Sequence, residues 1–343
     1  MLDVGILGAR GRRYTELAER LRAKGSKITI YPTKPSLVSL LKSRHALYHT
    51  SAFVSPAAML WLNKLLRGKK YTLTLQGLVW KEAEEYARGK PLAALRVWLY
   101  RFFAKRALDN AEAVIAVSGW VARKLANFSE KAAGKAIPIY HAIDAGKFSK
   151  GKRIKIPGAR EGDDILLYIG DFKFSEKARG VELLIDAMGK ILKKRKKAKL
   201  VIVGEKEGYF NEIENYARSK PYASSVIFTG FRNDVPDLLA SADVFVYASF
   251  MDGMPRTPLE AMAAGVPVVA VNACSLREEV INGKNGFLVA PRAEAIADAA
   301  LRLLVDKKLA RKMGEEGRRF VGKNFSLEIM ANTHEKVWTS VSK

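Results

Sequence analysis

Two carboxylates, Asp252 and Glu260, stand eight positions apart in the stretch DGMPRTPLEAMAAGVPVV at residues 252–269. Glycine, proline and threonine lie between them, and a short helical pattern after them gives way at once to an apolar run. Loops at the carboxyl ends of parallel strands are where open α/β proteins hold ligands, and helix starts there receive phosphates. Paired acids can hold a diol. In a chain of formal net charge +24, acids so placed imply a ligand that is both hydroxyl-rich and phosphorylated, the chemistry of a sugar nucleotide. Glu260 also has a plainer reading. Thr257, Pro258 and Glu260 fit the N-cap, N1 and N3 positions of a capping box, and Gly265 would close the helix. Capping requires nothing of Asp252, so only the paired reading accounts for both acids.

The elements that must position these residues alternate β-branched runs with helical periodicity. Strand candidates in the first half are 3–8, 27–32, 46–51, 71–76, 113–118 and 137–140. Those in the second half are 165–170, 199–204, 225–230, 243–248, 266–271 and 286–289. This is the signature of parallel sheets covered on both faces. Residues 149–163 interrupt it with glycine, proline and mixed charge, as a linker would. The expectation is an α/β protein of two doubly wound domains, 1–148 and 149–326, facing a central cleft. Residues 327–343 add a C-terminal helix packing back toward the first domain.

Composition narrows the class. With 343 residues, 48% hydrophobic and 27% charged, the chain is globular and long enough for two cores. No apolar run approaches the ~20 residues of a membrane-spanning helix. The opening MLDVGILGARGRR lacks the order of a signal peptide, so the expected compartment is cytoplasmic. A lone cysteine, Cys274, excludes an intramolecular disulfide, and no Cys or His spacing fits zinc. Residues 1–125 hold 23 Lys/Arg against 8 Asp/Glu, together with Trp61, Trp80, Trp98 and Trp120. That balance implies an anionic partner, lipid headgroups or nucleic acid, or else a solvated basic face. Residues 92–106 (LAALRVWLYRFFAKR) form a basic, aromatic helix pattern with apolar residues on more than one face. A core helix is the first reading of that pattern and a membrane-surface helix the second.

An ordered series of motifs is similar to the retaining glycosyltransferases of family 4, which have the two-domain GT-B fold. Their signature is an acid, seven residues, then Glu, continuing EAM-A-x-G-x-PVV, and here it runs from Asp252 through Glu260 to Val269. VIAVS (114–118), IYHAIDAGKF (139–148), VIFTGF (226–231), VPDLLASADVFVYAS (235–249) and NGKNGFLV (282–289) follow the family's order. The likeness is close over the C-terminal half and loose over the N-terminal half.

The resemblance implies a donor site. Glu260 would hold the ribose hydroxyls, and Asp252, where the family usually has Glu, would approach the transferred sugar. Main-chain amides of Gly253 and Met254, with Pro255 and Thr257 beside them, would line sugar and phosphate. The family places a basic pair after the first strand of its C-terminal domain. Here GDFKFSEKARG (170–180) departs from that pattern, with Asp171 or Phe172 in the arginine's place. Lys173, Lys177 and Arg179 are the available cations, and Lys177 and Arg179 abut the helix start. Asp252, Glu260, Lys177 and Arg179 are therefore the candidate catalytic residues. Gly8, Ala9, Arg10 and Gly11 would face the donor phosphates; Gly170, Lys173, Gly230 and Phe231 complete the donor-binding set. His49 and Gln76 are candidates on the acceptor side. Many relatives carry a His at the Gln76 position, and glutamine cannot take its proton.

The expected function is retaining transfer of a sugar from a nucleotide-sugar to a hydroxyl of a lipid-linked, glycan or other anionic acceptor, a hexosyltransferase without metal or other cofactor. Peripheral contact with an anionic membrane through the basic N-terminal domain is a further expectation, and nucleic acid is not an expected partner. The departures at Asp252 and Gln76 leave two alternatives, an inactive nucleotide-binding relative and a basic nucleic-acid-binding protein.

Overall fold

The computed structural model describes residues 2–7, 12–31, 37–51, 55–87 and 93–342. All twelve expected strands form, most of them a residue or more shorter than their sequence runs. β1 (Asp3–Leu7), β2 (Lys27–Ile30), β3 (Leu47–Thr50), β4 (Lys70–Leu75), β5 (Ala113–Ala116) and β6 (Ala136–Pro138) make one sheet, ordered β2-β1-β3-β4-β5-β6. β7 (Asp164–Ile169), β8 (Ala198–Val203), β9 (Val226–Gly230), β10 (Val244–Tyr247), β11 (Val268–Val271) and β12 (Gly286–Val289) make the other, ordered β12-β11-β10-β7-β8-β9. Every strand pair in both sheets is parallel. Helices cover both faces, so central strands such as AVIA, VFVY and VVAV are buried at every position and show no alternation.

Strand order fixes where a ligand can sit. In the second sheet the chain runs outward from β7 to β8 and β9, then returns to the other side of β7 as β10. The loops after β7 and β10 therefore diverge and leave a crevice at the carboxyl ends of those strands. Gly180, in the helix Ser175–Lys194, sits against the end of β10. A Cβ there would fall 2.0 Å from the Ala248 carbonyl oxygen, so only glycine permits this approach.

Two compact units emerge, 1–142 with 327–343, and 143–326. The boundary differs from the expected one at 148/149. The short helix Ala145–Phe148 packs on the helix Arg256–Ala264, and the Ile143 amide donates to the Phe325 carbonyl at 2.7 Å. Residues 149–163 are not a free linker either. The Lys152 amide bonds Asp237 Oδ1 at 2.8 Å, and the Ile154 amide bonds Ser241 Oγ at 2.8 Å. Local composition resembles a linker, but long-range hydrogen bonds tie the segment to the second unit.

The C-terminal helix Leu327–Ser342 belongs to the first unit. It packs on the helix Arg12–Ala23 and joins the core with Met330, Ala331, Val337 and fully buried Trp338. The Trp338 ring lies 5.1 Å from His49 and 5.3 Å from His334. Replacing Trp338 by Ala empties this position and is expected to cost about 3–5 kcal/mol. Guanidinium unfolding of the first unit checks this, and a loss under about 1 kcal/mol would show that the helix does not hold the core.

Candidate active site

The β7/β10 crevice gathers charge. Asp171 follows β7, Asp252 follows β10, and Lys177 lies in the first turn of the helix Ser175–Lys194. Lys177 Nζ is 2.7 Å from Asp171 Oδ2 and 3.3 Å from Asp252 Oδ2, and it is only 9% exposed. The Tyr247 hydroxyl donates to the same Asp252 oxygen at 2.8 Å. Burial pulls the Lys177 pKa down, but the charges of Asp252 and Asp171 outweigh it and hold the ammonium above its ordinary value. Burial pushes the Asp252 pKa up, opposed by Lys177 and the Tyr247 hydrogen bond. The corner is an ionic triad closed by a phenol, in which the ammonium stays charged.

Glu260 lies on the adjoining helix Arg256–Ala264 and is largely buried. Its pKa is raised by burial, with Arg256 and Lys147 pulling the other way. Arg256 Nη2 stands 3.6 Å from Glu260 Oε1. The capping box is not formed. The helix begins at Arg256 with Pro255 as N-cap, two residues before the expected cap at Thr257. Thr257 Oγ1 donates instead to the Ile169 carbonyl at 2.9 Å, which ties this helix to the end of β7. Gly265 does close the helix in the left-handed conformation, φ 82°. Gly253, Met254 and Pro255 are buried between the two acids.

The remaining candidates divide. Phe172 packs edge-on against Phe210 with centroids 5.5 Å apart, so it is core, and Asp171 is the acid that pairs with Lys177. Arg179 is exposed, its guanidinium 4.9 Å from the Phe250 ring in the loop after β10. Lys173 points away to Glu207 at 3.5 Å. Gly170 ends β7, its amide bonded to the Val203 carbonyl at 3.0 Å. Gly230 ends β9 with φ 71°, a conformation that suits glycine, and leaves Phe231 62% exposed beside it.

His49 is not presented to an acceptor. It is fully buried, with Nδ1 2.9 Å from Thr72 Oγ1 and Nε2 3.2 Å from Thr74 Oγ1, so the neighbouring strand β4 meets both nitrogens. Gln76 is exposed after β4. Gly8, Ala9, Arg10 and Gly11 lie outside the described residues.

Three groups at this corner escaped sequence reasoning. Asp171 completes the triad, and Tyr247 closes it. Glu279, at the end of the helix Leu276–Glu279, is fully buried and accepts a hydrogen bond from Ser275 Oγ at 3.2 Å. Its Oε2 has no hydrogen-bond partner among the described residues. Burial first, and then the charge of Asp252, raise its pKa well above the ordinary value.

Residues 149–320 match the family of glycosyl transferases group 1, and the chain belongs to that family. It is 29% identical over 207 residues to the N-acetyl-alpha-D-glucosaminyl L-malate synthase of Bacillus anthracis, covering 59% of this chain and 53% of that protein. It is 27% identical over 252 residues to the lipopolysaccharide core biosynthesis mannosyltransferase LpsB of Rhizobium meliloti, covering 70% and 69%. The match thus spans about half of the first relative and about two thirds of the second. Among solved structures, a sucrose-phosphate synthase of Thermosynechococcus elongatus superposes with TM-score 0.79 at 21% identity, covering 99% of each chain. HepE of Anabaena, in complex with UDP and glucose, gives 0.75 at 17% identity, covering 99% and 100%. The fold is GT-B, with two Rossmann-like domains.

Lys177→Met leaves Asp171 and Asp252 facing each other around an apolar chain. A loss of about 3–5 kcal/mol is expected, partly recovered in Lys177→Met/Asp252→Asn. A double-mutant cycle by denaturant unfolding reads this coupling, and strictly additive losses would contradict the triad. Glu279 makes a pH prediction. Between the ordinary glutamate pKa of 4.5 and its raised folded value, the native chain keeps a proton that the unfolded chain has released. Stability therefore falls as pH rises through that window, by at most about 1.4 kcal/mol per pH unit. Glu279→Gln removes this dependence. Melting curves of both proteins from acid to neutral pH should diverge upward of the lower limit, and parallel curves would refute the assignment.

Proposed function

We propose that the protein is a retaining, metal-independent glycosyltransferase of family 4. It moves a hexose from a nucleotide-sugar to a hydroxyl of a lipid-linked, glycan or other anionic acceptor. The observation that carries this reading is the convergence of Lys177, Asp171 and Asp252 with the Glu260 helix at the carboxyl ends of β7 and β10. Group 1 membership supports glycosyl transfer, and the UDP and glucose held by the structurally similar HepE support the donor class.

Each residue then has a task. Glu260, a largely buried acceptor with raised proton affinity, takes the ribose diol. Phe231, exposed beside the end of β9, offers its ring to the nucleobase. Lys177 places a fixed ammonium against the diphosphate, and Arg179 adds a second cation from the next turn. Asp252 faces the transferred sugar. The bond from the anomeric carbon to the diphosphate breaks while that carbon bonds the acceptor oxygen on the same face. The acceptor's proton passes to the departing diphosphate, so no side chain need serve as dedicated base. Catalysis consists of orientation and of stabilising charge on the leaving group.

A thermal-shift panel of UDP, GDP, ADP and their common sugar conjugates tests this on the wild type and Glu260→Ala. One nucleotide should stabilise the wild type by about 2.7 kcal/mol at a hundredfold excess over its Kd, and the variant much less. Turnover of the matching sugar conjugate should survive EDTA and keep the anomeric configuration. No response to any nucleotide would sink the donor assignment, and EDTA inhibition would sink metal independence.

A further inference from the structure

The helix Ala93–Asn110 buries only Ala104, Ala107 and Leu108 of its eighteen residues. Leu95 (65% exposed), Trp98 (61%), Leu99, Phe102 and Phe103 face solvent. The core-helix expectation for residues 92–106 is thereby corrected: the helix is anchored by Ala104, Ala107 and Leu108 of its last turns, and its aromatic half stays out of the core. Beside it runs the helix Ser55–Arg67, with Trp61 and Phe103 ring centroids 6.1 Å apart. That helix ends in Leu65 and Leu66, 61% and 66% exposed. Scattered apolar side chains are ordinary on a surface, but a group of large ones on two packed helices marks an interaction site.

Charge identifies the partner. The two helices carry six basic residues and one acid. Among the nearby carboxylates, Glu84 pairs with Arg101, Asp109 with Lys105 and Glu112 with Lys64. The rings are interleaved with cations: Trp98 stacks on Phe102 at 6.0 Å, and the Arg106 guanidinium lies 5.4 Å from the Phe102 ring. We infer that this face docks on an anionic lipid bilayer. Trp98, Phe102 and the leucines enter the boundary between headgroups and acyl chains, while Arg96, Arg106 and Arg67 meet lipid phosphates. Exposed leucines distinguish this surface from a nucleic-acid platform, where rings stack on bases and aliphatic chains find no counterpart. A second copy of the chain is disfavoured because it would set the same basic face against itself. Attachment is to the membrane surface, since no described helix is long and apolar enough to cross it.

This inference does not depend on glycosyl transfer, and its test is separate. The full chain is sedimented with vesicles of phosphatidylcholine alone and of an equimolar mixture with phosphatidylserine. Binding to the mixed vesicles, weakened by added salt, is the expected result. Trp98→Ser/Phe102→Ser should weaken it by roughly ten-fold or more. Arg96→Ala and Arg106→Ala should each weaken it about five-fold. All these residues are exposed, so melting temperature and nucleotide response should stay at wild-type values. Three results would overturn the proposal: no sedimentation with mixed vesicles, undiminished binding in the variants, or self-association or RNA binding that depends on Trp98 and Phe102 and leaves lipid binding absent.

Discussion

A buried ammonium cannot stay charged unless acids surround it, and the position of Lys177 organises everything around the β7/β10 crevice. Its two partners come from separate loops, Asp171 after β7 and Asp252 after β10. The ion triad therefore joins the ends of the two strands that diverge at the switch point. Gly180 lets the lysine-bearing helix approach the end of β10, and Tyr247 holds Asp252 from the strand below. Thr257 ties the next helix to β7 through a main-chain carbonyl. Gly253, Met254 and Pro255 are fixed between these anchors, so this stretch of backbone is preorganised by interactions within the chain.

Cooperation of this kind explains what could be read from the sequence. The strands were legible because parallel sheets with two covered faces demand continuous β-branched runs, which no other element here supplies. Asp252, Glu260 and Lys177 were legible because loops and helix starts allow few reasons for such residues. Tyr247 was not, because in VFVYAS it looks like any strand residue, and only the fold puts its hydroxyl against Asp252. The capping box failed for a similar reason. The Thr257 hydroxyl could serve a local amide or a distant carbonyl, and its partner, Ile169, lies 88 residues earlier. His49 shows the converse. A histidine at a strand end suggests chemistry, but Thr72 and Thr74 come from the neighbouring strand and turn it into a core residue.

Residues 149–163 show the same dependence on distant partners. Glycine, proline and mixed charge do mark irregular backbone at 149–163, but irregular backbone can be packed. The amides of Lys152 and Ile154 find side-chain acceptors on the helix Val235–Ser241, and Phe148 is buried ahead of them. Composition thus predicts the absence of regular structure, whereas independence of the segment depends on distant hydrogen-bond partners.

The excess positive charge does two different kinds of work, and burial separates them. Lys177 acts over about 3 Å in a low-dielectric corner, where mobile ions do not intervene and removing one partner leaves the others uncompensated. The cations on the helices Ser55–Arg67 and Ala93–Asn110 sit in water, where pairing within the chain contributes little and screening sets in beyond about 8 Å at physiological ionic strength. Such charges are poor stabilisers of a fold. They become useful only when a surface of opposite sign is brought close over many residues at once. A chain with net charge +24 that leaves its basic helices exposed with their aromatic residues is stabilised by its cores. Its surface charge is free to select what it meets.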